Sequence, residues 1–128
     1  MLQYGNSLAR ELGDCIRMCM CIMCGMQENK YKQPKFVECS TTDAMYYRLT
    51  AMINEGRFNE AENIMSEYLD ATDLDDYYMM LCIYDYMNDF EDEFLEQNNF
   101  SREEIQEGVV AISRHFDVEG VYSFLHTN

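Results

Sequence analysis

The chain has 128 residues, 48% of them apolar, and a formal net charge of -15 from 24 acidic against 9 basic side chains. That length suits a single domain, residues 1–128, able to bury a core without staples. So acidic a surface repels phosphate backbones and anionic membranes, which sets aside nucleic acid and lipid as partners, while it favours a basic partner surface. One proline and six glycines among these residues favour long helices over a turn-rich β fold.

The start, "MLQYGNSLARELGDC", has scattered charges and no basic leader region, and the apolar run Met18–Met26 is about half a membrane span. A reducing, cytoplasmic setting is expected. Residues 6–27 read as one helix, capped by Asn6 or Ser7, with Leu8, Leu12, Cys15, Ile16, Cys19, Met23 and Met26 at helical spacing. Residues 28–40 hold all the lysines (Lys30, Lys32, Lys35) and Pro34, and read as a connector to a helical-hairpin core at 41–128.

From Ser40 the pattern is helix after helix. "STTDAMYYRLTAMINEG" offers Ala44, Tyr47 and Ala51 as one apolar stripe and Tyr46, Leu49, Met52 and Ile53 beside it, with Gly56 as a left-handed C-terminal residue. "NEAENIMSEYLDA" follows at once, with Asn59 as cap and Ala61, Ile64, Met65, Tyr68 and Leu69 inward. So short a link forces antiparallel neighbours. A helix over about 73–87 comes next. "DFEDEFLEQN" (89–98) continues it or stands alone, with Phe90, Phe94 and Leu95 inward. "SREEIQEGVVAISRHF" opens with a capping box, Ser101 to Glu104, and Asp117 caps a last short helix. The fold class is all-α, about six or seven helices in antiparallel hairpins.

The stretch Leu49–Leu69 resembles a tetratricopeptide-type hairpin in Gly56, Phe58, Glu60 and Ala61: glycine for the turn, an aromatic plug, and a small residue where two backbones approach. A longer likeness rests on "GRFNEAEN" (Gly56–Asn63) and "FSREEIQEG" (Phe100–Gly108). On these the chain resembles a family of small, uncharacterised bacterial helical proteins over roughly residues 42–117. The resemblance implies a compact all-helical fold and brings no activity and no functional residues. In that family the N-terminal segment is amphipathic without a cysteine cluster.

"CIRMCMCIMCGM" (15–26) carries four of the six cysteines. At about 100° per residue, Cys15 and Cys19 fall on one side of a helix and Cys21 and Cys24 on another. One zinc can gather all four only if the helix breaks near Cys19–Cys21. Soft sulfur ligands suit Cu(I), but cysteine and methionine are also ordinary packing residues. The segment is apolar on nearly all sides, and a helix of that kind buries more than one face. A second copy of the chain is therefore an expected partner, as a homodimer. The carboxylate runs fit no EF-hand, neither His115 nor His126 has a glutamate three residues before it, and no nucleophile-elbow, zincin, P-loop or dinucleotide motif is present.

The expectation is a non-enzymatic helical protein–protein interaction module without a cofactor. Its expected surface comprises Tyr46, Tyr47, Tyr77, Tyr78, Met18, Cys21 and Ile22, because tyrosine suits interfaces and this N-terminal stretch is apolar on nearly all sides. The alternative is soft-metal binding or thiol sensing by Cys15, Cys19, Cys21 and Cys24.

Overall fold

The computed structural model describes residues 4–24, 41–70 and 74–116. The expected connector at 28–40 and the last short helix after Asp117 lie outside the described residues, as do 25–27 of the first helix. The described residues form six α-helices and no strand: α1 (Tyr4–Cys24), α2 (Thr41–Asn54), α3 (Phe58–Tyr68), α4 (Leu74–Asn88), α5 (Asp92–Gln97) and α6 (Arg102–Phe116). The chain is all-α, and α2 and α3 pack as neighbours across a short link. "DFEDEFLEQN" is a separate short helix, α5, set off from α4 by a turn at Asp89 and Phe90.

The centre is α4, with α1, α2 and α6 packed on it. Every side chain from Met79 to Asp85 is buried, as are Tyr77, Met87 and Asn88. A helix apolar all round has no solvent face to offer, so its neighbours must enclose it. The sequence assigns that property also to Met18–Met26, of which only Met18, Cys19 and Met20 have described side chains. In the described part of α1, Ser7, Arg10, Glu11 and Asp14 are exposed, whereas Leu12, Ile16, Cys19 and Met20 are buried. That is a one-sided helix up to Met20.

The stripe expected on α2 is corrected. Ala44, Tyr47 and Ala51 face solvent, and Leu49, Met52 and Ile53 are buried. The second set carries more apolar surface, roughly 1.5–3 kcal/mol for each large side chain removed from water, and that difference decides the rotation of the helix. On α3, Ala61 and Met65 are buried and Ile64 and Leu69 half-buried, but Tyr68 is 64% exposed.

The α2–α3 link has a definite chemistry. Gly56 has φ +84. Its N–H donates to Ile53 O at 2.9 Å, and the Arg57 N–H donates to Met52 O at 3.0 Å, the two bonds of a Schellman turn. Phe58 is fully buried and stacks on Phe100 with centroids 5.1 Å apart, while Phe90 and Phe94 meet it edge-on. Asn59 is not the cap of α3: its amide donates to Asn99 O at 3.2 Å, and Arg57 occupies the cap position without a side-chain cap bond.

The α5–α6 link repeats the same turn. Asn99 has φ 60, its N–H donates to Glu96 O, and the Phe100 N–H donates to Leu95 O at 2.9 Å. The capping box forms as far as the Glu104 N–H donating to Ser101 Oγ at 3.2 Å. Arg102, 6% exposed, ties these parts to α4. It donates to Asn88 O, Asn88 Oδ1 and Phe90 O and pairs with Asp92 at 2.6 Å, so a cation sits where α4 ends in free carbonyls.

Gly56→Val is expected to destabilise the protein. The left-handed backbone alone costs a β-branched residue about 1–3 kcal/mol. A Cβ on Gly56 would also stand 2.4 Å from Asn98 Oδ1, so the Asn98 side chain would have to shift and its amide would give up the bond to Phe94 O. Thermal melting reads the effect, and an unchanged Tm would show that this turn does not hold the two hairpin ends together.

Candidate functional site

The cysteines come first because the sequence marks them most strongly. α1 runs unbroken through Cys24, so the interruption at Cys19–Cys21 that a four-thiolate zinc site requires is not formed. The side chains of Cys21, Ile22 and Cys24, and all of Cys39, lie outside the described residues. Cys19 is fully buried, and burial pushes its thiol up to about 12, with the neighbouring Cys15 adding to the rise. Cys15 is half-buried and raised as well, first by burial and then by Asp14 and Glu11. Sensing and thiolate coordination need the opposite shift. Cys82, within α4, donates toward Met20 Sδ at 3.6 Å, which is core packing.

The tyrosines do not form one surface. Tyr77 is corrected: it is fully buried, and its hydroxyl shares a 2.7 Å hydrogen bond with Ser113 Oγ inside the core. That partner is what permits its burial. Tyr78 and Met18 are half-buried, and Tyr46 is half-buried edge-on to Tyr47, with ring centroids 5.6 Å apart. Tyr47 is 52% exposed. It and Tyr68 are the exposed large apolar side chains among the described residues, and the antiparallel α2–α3 pairing places them toward the same end of the hairpin.

Beside Tyr46 lies a buried charge. Asp85 accepts from Arg17 at 3.2 Å, and Arg17 also reaches Asp14 at 3.5 Å. Burial pushes the Asp85 carboxyl up to about 6, Arg17 lowers it and Asp89 raises it. Burial dominates because Arg17 is itself half in water, where its attraction is screened.

A concavity among the described residues lies elsewhere, and the sequence does not point to it. A groove of about 590 Å³ runs between α3 and α6 over the side of α4. Met65, Met80 and Ile112 supply apolar floor, with Asn63, Ser66, Asp70 and His115 among the polar lining. Tyr84 crosses from α4 and donates to Glu62 Oε2 at 2.8 Å. It can do so because α6 carries glycine at 108: a Cβ there would fall 2.4 Å from the Tyr84 ring. Gly108, in mid-helix where glycine costs stability, is the one sequence signal for this approach.

Glu62 is half-buried, and Tyr84 supplies its one hydrogen bond among the described residues. Burial raises its carboxyl most, Tyr84 opposes this, and Glu104 and Glu107 raise it further. No cation pairs with Glu62 among the described residues, whose ion pairs involve Arg17, Arg57 and Arg102. Burial and the Glu62 charge keep the Tyr84 phenol protonated far above its ordinary range. Ser66 and His115 share the lining without a hydrogen bond between them. Among the described residues no three His, Cys, Asp or Glu side chains converge as a metal site, and no helix is long and apolar enough to cross a membrane.

Comparison with protein families places this arrangement. A family of unknown function, DUF6483, matches residues 5–117. The chain belongs to that family. The match takes in α1 as well as the hairpins, so it extends beyond the likeness at 42–117 that the two short motifs carry. No curated protein and no solved structure matches the chain. Membership in DUF6483 therefore supplies kinship without a chemistry.

The Asp85 carboxyl sets a pH dependence. A carboxyl raised from 3.8 to about 6 takes up its proton in the folded state before the unfolded state does. On this group alone, stability rises as pH falls from 7 toward 4, by up to about 3 kcal/mol. Across that range wild type is expected to gain on Asp85→Asn by on the order of 1–3 kcal/mol. Denaturant midpoints of both proteins at several pH values check this, and a difference that stays constant would mean that Asp85 ionises as an exposed carboxyl does.

Proposed function

We propose that the protein is a non-enzymatic, cytoplasmic interaction module that takes a segment of a partner protein into the groove between α3 and α6. The observation that carries this reading is the groove itself: an apolar floor of Met65, Met80 and Ile112 inside a polar rim. Recognition grooves combine apolar area with a few placed polar groups. Homodimerisation remains part of the proposal through the later half of α1.

Site-specific photo-crosslinking in host cells tests the reading. A photoreactive residue at Asn63, Ser66 or Ala111 is expected to give a discrete protein adduct, whereas one at the exposed Glu93 of α5 gives none. Absence of an adduct from all three groove positions would count against the groove as a docking site. Sedimentation of the wild-type protein reads the dimer separately, and a monomer at micromolar concentration would remove that part.

A further inference from the structure

Resting on the groove as a docking site, the chemistry of its lining narrows the occupant. Glu62 and Asp70 line it, and no lysine or arginine is among its described lining residues. Glu104 and Glu107 act on Glu62 from α6, so the field there is negative from both walls. Glu62 is the sharpest element. Half its surface environment is protein, its one hydrogen bond among the described residues comes from a neutral phenol, and no described cation neutralises it. By contrast, Asp85 has Arg17, Asp92 has Arg102 and Glu60 has Arg57.

We propose that the groove receives a basic segment of a partner protein, a lysine or arginine meeting Glu62 while neighbouring apolar side chains cover the half-buried Leu69 and Ile112. Charge complementarity selects the class of partner. A cation reaching Glu62 replaces like-charge repulsion by attraction in a partly water-excluded place. The apolar floor calls for hydrophobic residues beside the charge, which a free polyamine lacks. An acidic or neutral segment would leave Glu62 uncompensated, and an acidic one would add repulsion from Glu104 and Glu107.

The test is fluorescence anisotropy with the full chain and an amphipathic Lys–Leu peptide as probe. Its arms are the Glu–Leu counterpart, the Lys-acetylated peptide, spermidine as competitor, and a peptide of residues 28–40 of this chain. The Lys–Leu peptide is expected to bind, with saturation and salt sensitivity. Glu62→Gln is expected to weaken it about tenfold, roughly one decade in Kd. Ala111→Trp, which fills the groove from an exposed position, is expected to abolish binding, and Glu93→Gln to leave it unchanged. Circular dichroism and melting establish that each variant is folded.

Equal affinity of wild type and Glu62→Gln, or equal binding of the acetylated peptide, overturns the charge assignment. If adducts still form from Asn63 and Ser66 in that case, the docking reading stands and only the class of occupant fails. Full competition by spermidine overturns a protein segment in favour of a small polyamine. Tighter binding of the 28–40 peptide than of the Lys–Leu peptide overturns a foreign partner in favour of a second copy. Nuclear Overhauser contacts between Ala111 and Phe124 of the same molecule, with no peptide uptake, overturn any external occupant.

Discussion

A central helix buried on nearly all sides is the constraint from which the rest of this structure follows. α4 carries Met79, Met80, Leu81, Cys82 and Ile83 in unbroken succession, and all are buried. Hydrophobic attraction gathers α1, α2 and α6 round it and selects the buried stripe of α2, but it is non-directional and leaves the register of α1 and α6 loose. The polar groups on α4 set it. Tyr77 bonds Ser113 of α6, Tyr84 bonds Glu62 of α3, and Asp85 pairs with Arg17 of α1. The Asn88 amide donates to Ala9 O of α1 at 2.7 Å, and its own oxygens accept from Arg102. Turning α1, α3 or α6 by one residue would strand at least one of these groups, at about 1–3 kcal/mol for each buried orphan. Apolar side chains thus supply the cohesion, and a handful of hydrogen bonds supplies the register.

A second centre forms where two similar turns meet. Gly56 and Asn99 both take left-handed backbone, each closing a helix with the same pair of bonds. Asn59 reaches from the first turn to the Asn99 carbonyl of the second, and Phe58 enters the cluster made by Phe90, Phe94 and Phe100. Arg102 then fastens this cluster to the end of α4. Its Nε finds no partner among the described residues. That single unmade bond is the residual cost of burying a guanidinium whose other nitrogens are well used.

What was legible in the sequence is what depends on local chemistry. Gly56, Phe58 and Ala61 announce a helical hairpin because a left-handed turn, an aromatic plug and a close backbone approach each demand a particular residue within a few positions. Ser101 and Glu104 announce a helix start for the same reason. The rotation of α2 was not legible, since two adjacent stripes both read as apolar and only the presence of α4 selects Leu49, Met52 and Ile53. Nor was the fate of the tyrosines. Tyr77 and Tyr78 are neighbours of equal polarity, yet one hydroxyl meets Ser113 and the other ring stays half in solvent. The groove lay beyond sequence reasoning altogether, because it is made by residues of three helices that meet only in the folded chain. Gly108 hinted at a close approach without naming Tyr84 as what approaches.

The groove also shows how charge and packing are linked in so acidic a protein. α6 turns Gly108 and Ala111 toward it, too small to fill the space beside α3, and Tyr84 occupies the gap only as far as Glu62. The carboxylate is then held partly out of water against Glu104 and Glu107, which raises the free energy of the empty protein. The same repulsion is a source of binding energy. A ligand that neutralises Glu62 recovers part of what folding gave up there, and by linkage it stabilises the folded state as it binds. Under the proposed docking, the carboxylate at the rim of the groove would tie stability to occupancy, whereas Asp85, with Arg17 already beside it, ties stability to pH.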